Sequence, residues 1–296
     1  HATSLRSGNL GYQRDAQAEQ IEVGYNSLDA YVSSLAGAIR DEYPPYKEIG
    51  VQVNNKYRQI NTSILQSEAE FYSSVRPKRV PGSDENFLAC LHRDGVQYIE
   101  VRLLDVNPYL PLGIDEAEID FLDTFLLHCL LEDSPEHDQV LCEEVRQNAI
   151  ATVNQGRSPR LILKDNGSRK SLQAWGHEIL TDMTPYAGLL DRTFNSSRYH
   201  DTLNIQQQRI SNPNSTPSGQ IISDMEEQQI SFLAFAMDQT LKHRQTFKSR
   251  PLDPGESAQF AEIARQSLED QEKIEAADDI DFDQYLSDSL AVYKTL

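Results

Sequence analysis

Hydrophobic and polar positions along the chain change period near residue 113. Before it, short stretches alternate. In VQYIEVRLLDV, Ile99, Val101 and Leu103 fall on one face and Tyr98, Glu100 and Arg102 on the other, the period of a strand half buried in a sheet. SILQSEAEFYSSV alternates too, with Leu65, Ala69 and Phe71 opposed to Gln66, Glu68, Glu70 and Tyr72. EIGVQVNNKYRQIN contains two extended runs around an Asn-Asn pair, a hairpin signal. Residues 25–41 have helical spacing instead, with Leu28, Tyr31, Val32, Leu35 and Ile39 on one stripe. These patterns predict an antiparallel sheet with an apolar face on helices and a polar face open to ligand.

After VNPYLPLG the period becomes helical. Prolines and a glycine end the strand and set up a helix beginning near Asp115. Its apolar stripe runs through Ile119, Leu122, Phe125, Leu126, Cys129 and Leu130. A second helix ends at Gly156 as a C-cap. Further helices are expected across 171–190, 198–210, 218–244, 256–276 and 281–293, with a loop at 211–219. The fold class is α+β. Residues 1–112 form a portion of a sheet with one covering helix, and residues 113–296 form a helical region packed on it.

Composition narrows this picture. The 296 residues are 39% hydrophobic and 25% charged, enough to bury a core. No stretch is apolar enough to span a bilayer. The start, HATSLRSGNLGY, lacks a signal peptide and an initiating Met, so it reads as an internal segment of a longer protein. A formal charge of −19 disfavours nucleic acid and anionic membranes as partners. Much of that acid lies in SLEDQEKIEAADDIDFDQ, read as a solvated helix and loop. Cys90, Cys129 and Cys142 have no CxxC spacing, which argues against a disulfide framework or zinc site and fits a reducing cytoplasm. Phosphate-loop, GxGxxG, HExxH and GxSxG motifs are missing.

Three groups of residues suggest chemistry. Glu100 and Arg102, two apart on a strand, project from one face. The carboxylate can hold a divalent cation and the guanidinium can grip phosphate oxygens. An exposed salt pair is the plainer reading. Arg76, Lys78 and Arg79 of RPKR form a basic knot, either an attractor for phosphates or a solvated turn. Arg6 and Tyr12 flank a glycine-containing loop at the start.

The strings ATSLR and LGY (2–12), QIN to Tyr72 (59–72), RPKR (76–79), YIEVRLLDVNPYLPLGID (98–115) and EAAD (275–278) together resemble the gammaproteobacterial type of glutamate–cysteine ligase. The resemblance is strongest over 56–160. It implies a catalytic sheet like that of glutamine synthetase, with one charged concave face backed by helices. It also implies an ATP- and Mg²⁺-dependent reaction. ATP phosphorylates the γ-carboxylate of L-glutamate, and the amine of L-cysteine then displaces phosphate, the first step of glutathione synthesis. By the resemblance, Glu100 bridges metal, Arg102 contacts the transferred phosphoryl group, Arg6 holds glutamate, and Tyr12 and Tyr72 line the cysteine pocket. A core role for the two tyrosines stays open. The resemblance gives Arg76, Lys78 and Arg79 no firm role; their charge makes them, with Arg102, the candidates for binding the nucleotide. The family's other metal carboxylates lie in an N-terminal portion outside this chain, so the chain alone is expected to be inactive. The expected partners are the three small substrates, without nucleic acid or membrane, on a monomeric, cytoplasmic protein. A related ligase with another amine acceptor, or a non-catalytic helical interaction module, are the competing readings.

Overall fold

The computed structural model describes all residues except 9, 10, 12–20, 22, 83 and 84. In chain order the elements are α1 (Leu28–Arg40), α2 (Pro44–Ile49), β1 (Gln52–Val53), β2 (Lys56–Tyr57), a 3-10 turn (Glu68–Glu70), β3 (Val75–Lys78), α3 (Phe87–Asp94) and β4 (Tyr98–Val101). There follow α4 (Glu116–Leu131), α5 (Gln139–Gln155), β5 (Ile162–Asp165), β6 (Ser168–Ser171), α6 (Leu172–Asp182), α7 (Thr184–Phe194) and α8 (Arg198–Ser211). Last come α9 (Pro217–Gln228), α10 (Phe232–Lys248), α11 (Pro254–Ala277) and α12 (Phe282–Val292). The chain makes two compact units, each discontinuous in sequence: 14–103 with 250–296, and 1–13 with 104–249. The division at 103/104 falls close to the change of period. No local pattern marks residues 250–296 as folding with the first part, since that association depends on chain return.

In the unit 14–103 with 250–296, α1 forms where the spacing predicts it. Ser27 caps it by accepting from the Ala30 amide. Tyr31, Val32, Leu35 and Ile39 of its stripe are buried with Leu88 and Leu91 of α3, and with Leu65, Phe71 and Tyr293. The Asn-Asn pair makes the expected hairpin. Asn54 and Asn55 have φ of 52° and 61°, the left-handed turn that matches strand twist, and β1 pairs with β2.

The segment 63–75 departs from its alternation. Leu65 and Phe71 are buried, but most of the segment is irregular around the 3-10 turn and only Val75 is in a strand. Its polar side chains take the backbone partners that a ladder would need. Gln66 Oε1 accepts from the Ile60 and Asn61 amides at 2.9 and 3.3 Å, and Glu70 accepts from the Gln66 amide at 2.8 Å. Among the described residues the strands therefore form three separate two-stranded antiparallel ribbons, where the sequence suggested one broader sheet.

In the unit 1–13 with 104–249, α4, α6 and α7 pack on α8 around Leu180, Met183, Ala187, Tyr199 and Leu203, joined by Phe121 and Phe125. Asp115 caps α4 as expected. Its buried positions, however, are Asp120 and Thr124, while Ile119, Cys129 and Leu130 are exposed. Apolar residues encircle most of this helix, so the stripe did not single out the packed face. Asp120 is held there by Arg198, whose Nε lies 3.4 Å away, and Thr124 donates back to the Asp120 carbonyl at 2.8 Å. The expected helices at 171–190 and 218–244 each divide in two, one at Met183 before Pro185 and one at Gln229, which takes a left-handed φ of 54°. Asn166-Gly167 turns the β5–β6 hairpin, a signal the periodicity missed. The acidic run 267–284 is exposed almost throughout, as read. Among the described residues no helix is long and apolar enough to cross a membrane.

The NPYLPLG segment is a closed turn. The Asn107 amide donates to the Gly113 carbonyl at 2.9 Å, Tyr109 Oη donates to Asp224 at 2.7 Å, and His243 Nε2 meets the Pro108 carbonyl at 2.8 Å. Gly113 has φ of 76°, and a Cβ there would lie 2.6 Å from Val106 Cγ1. Gly113→Ala is therefore expected to cost at least about 1–2 kcal/mol, the left-handed penalty before the clash is counted. A urea-unfolding midpoint equal to that of the parent chain would contradict this.

Candidate functional site

The sequence-predicted face of β4 is real. β3 and β4 pair antiparallel in the register Val75 to Val101, Arg76 to Glu100, Pro77 to Ile99 and Lys78 to Tyr98. The Arg102 amide extends the ladder to the Ser74 carbonyl at 2.8 Å. Directly opposed residues point the same way, so Arg76, Lys78, Tyr98, Glu100 and Arg102 share one face. Arg76 to Lys78 of RPKR thus lie in the strand paired to YIEV, which overturns the alternative of a solvated turn.

Glu100 sits between two cations. Its Oε1 is 3.8 Å from Arg102 Nε and its Oε2 is 3.9 Å from Lys78 Nζ. These long pairs on a half-exposed face contribute little stability, so their worth is in placement. Arg102 is further fixed by Tyr72, whose ring lies 5.1 Å from the guanidinium carbon. The Tyr72 hydroxyl donates to the Arg102 carbonyl at 3.0 Å. Lys78 stands over the Phe87 ring at 4.7 Å. Register and charge pairing bring in Lys78, Phe87 and Tyr98 together, which the separate reading of the two motifs did not.

Arg76 and Arg79 differ sharply. Arg79 donates to the carbonyls of Asp94 and Gly95, both at 2.6 Å, satisfying the end of α3; it holds the ribbon to that helix. Arg76 is only 4% exposed. It donates to the Glu68 carbonyl at 3.0 Å, and its Nε has no hydrogen-bond partner. An open cleft of about 350 Å³ lies here, lined by Glu68, Arg76, Lys78, Phe87 and Tyr98 among others.

The opposite face is less covered than alternation implied. Ile99 and Leu103 are 50% and 43% exposed, so among the described residues no helix buries them as a packed second layer would. Arg6 belongs to the other unit. Its loop is built by Asp105, whose Oδ1 accepts from the Leu5 and Arg6 amides at 3.1 and 2.8 Å. Thr3 anchors the same loop to the end of α5 through Val153 and Thr152. Asp105 escaped the sequence reading because its partner lies about a hundred residues away. Tyr12 lies outside the described residues.

Residues 1–152 match the family model described as glutamate–cysteine ligase. The chain belongs to the glutamate–cysteine ligase family. Similar curated members are the glutamate–cysteine ligases of Pseudomonas putida, 42% identical over 97% of this chain and 54% of the relative, and of Alcanivorax borkumensis, 42% identical over 97% and 55%. The chain thus spans about half the length of the curated relatives it matches. A solved glutamate–cysteine ligase from Francisella tularensis, in complex with AMP, is similar with a TM-score of 0.89 at 30% identity, covering 99% of this chain and 57% of that one. A bifunctional glutathione synthetase from Pasteurella multocida shares the fold at a TM-score of 0.57 and 21% identity, over 83% of this chain and 27% of that one.

Proposed function

We propose that this chain supplies part of the catalytic face of an enzyme joining L-cysteine to the γ-carboxylate of L-glutamate with ATP, the first step of glutathione synthesis. The observation that carries it is the cationic face of the β3–β4 ribbon, where Lys78 and Arg102 flank Glu100 and Arg76 lies opposite it in register. A family member binding AMP supports nucleotide use.

In this reading the γ-phosphoryl group of ATP passes to a γ-carboxylate oxygen of glutamate, giving ADP and γ-glutamyl phosphate. The cysteine amine then attacks the acyl carbon, and phosphate leaves. Such a transfer is catalysed mostly by placement and charge neutralisation. Arg102 offers two N–H groups to the moving phosphoryl group, and Tyr72 keeps its guanidinium in place while forming one wall for cysteine. Arg76 and Lys78 take the nucleotide phosphates. Arg79 belongs with the nucleotide site as the residue that holds the ribbon's end. The family resemblance assigns glutamate binding to Arg6 and the cysteine pocket to Tyr12. The ribbon would be part of a wider antiparallel sheet of the glutamine synthetase type.

Mg²⁺ is the metal that the family resemblance implies, with Glu100 giving one oxygen. Mg²⁺ needs about six oxygen ligands, and among the described residues no three acidic, histidine or cysteine side chains gather to hold a metal. The residues present therefore account for anion binding and do not by themselves fit the metal. We place the protein in the cytoplasm as a monomer.

The test is phosphate release by a chimera that completes this chain to the length of the Pseudomonas putida relative. Release should require glutamate plus cysteine and stay near background with glutamate plus ammonia. Equal rates with ammonia would shift the reading to another ligase, and no release with any amine would refute it.

A further inference from the structure

Arg76 is a nearly buried guanidinium, and among the described residues no carboxylate lies within ion-pair distance of it. A buried cation without a counter-charge is costly unless something pairs with it. Glu100 is its register partner across the ribbon, but that carboxylate is taken by Lys78 and Arg102; the acidic residue lining the cleft itself is Glu68. Glu68 lends its carbonyl to Arg76 and lines the same cleft, yet its carboxylate is turned to another partner. That partner is Tyr293, 225 residues away, whose hydroxyl donates to Glu68 Oε2.

Tyr293 is itself held from three sides. Its ring is 6% exposed within the core of α1 and α3. Its hydroxyl accepts from Asn86 Nδ2 at 2.9 Å, and Asn86 is the cap of α3, the helix that carries Phe87 under Lys78. Its carbonyl accepts from Arg40 Nη1 at 3.0 Å. Burial, and then the Glu68 carboxylate, raise the phenol well above its ordinary value. One hydroxyl thereby ties the Glu68 wall of the cleft to the Phe87 wall.

We infer that Tyr293 is a positioning residue: it draws the Glu68 carboxylate away from Arg76, so that the buried guanidinium stays uncompensated and open to a ligand's phosphate. This rests on the reading of the ribbon face as a nucleotide-phosphate site. Without the hydroxyl, the Glu68 side chain would be free to swing onto Arg76 and occupy the anion's place. The effect is electrostatic and not one of packing, which makes it separable.

The experiment is titration calorimetry of ATP into this chain. Tyr293→Phe should weaken ATP binding by at least about tenfold, the scale of one lost charge-assisted hydrogen bond. Tyr293→Phe combined with Glu68→Gln should return to within about threefold of the parent, because the competing charge is gone. Glu68→Gln alone should bind at least as tightly as the parent. Unchanged binding by Tyr293→Phe, a double variant as weak as the single one, or weak binding by Glu68→Gln would each overturn the inference. If the parent chain binds no ATP, the nucleotide reading itself fails and the inference falls with it, an outcome seen before any variant is tested.

Discussion

Glu100→Gln, placed in a chimera completed to the family length, is expected to lower turnover by at least about 10²-fold, the scale seen when one preorganised charge-stabilising group is removed. The substitution keeps shape and loses only charge. In the structure Glu100 is the carboxylate shared by Arg102 and Lys78. Its loss leaves those cations repelling each other across the face and removes the one acidic oxygen set that this ribbon offers. Binding of ATP by the variant should change much less than turnover, since Arg76, Arg102 and Lys78 remain. Steady-state kinetics with saturating glutamate and cysteine would check this, and near-normal turnover would remove Glu100 from the chemistry.

Leu35→Ala is expected to destabilise the unit 14–103 with 250–296 by about 2–5 kcal/mol, the cost of emptying a packed site. Leu35 is fully buried on α1, in the cluster that also holds Phe71, Leu88, Leu91 and Tyr293. Phe71 precedes Tyr72, and Leu88 follows Phe87, so the same core supports both aromatic groups beside Arg102 and Lys78. Against a typical total stability of about 5–15 kcal/mol, that loss is large. Urea unfolding monitored by tyrosine fluorescence would measure it, and a shift below about 1 kcal/mol would mean the site can collapse or is not the core described.

Much of this was legible because local rules decided it. Ser27 and the stripe from Leu28 to Ile39 specify α1, Asn54-Asn55 specifies its hairpin, and Tyr98 to Arg102 alternate as a strand does. Where side chains compete with the backbone, the pattern misled: Gln66 and Glu70 take amides that alternation had assigned to a ladder. The packed face of α4 was hidden because burial there follows Arg198 reaching Asp120, a contact between distant positions. The candidate site divides in the same way. Glu100 and Arg102 are two apart, so one strand suffices to place them. The pairing of Arg76 to Lys78 opposite YIEV, the burial of Arg76 without an ion-pair partner among the described residues and the Tyr293 to Glu68 contact depend on register and chain return, which no local period records.

The most direct measurement is a crystal structure of the completed chimera with ATP bound. The expected result is ATP phosphates within hydrogen-bonding distance of Arg102 and Arg76 on the polar face of the β3–β4 ribbon, beside Glu100. Phosphates bound elsewhere, with that face untouched, would contradict it.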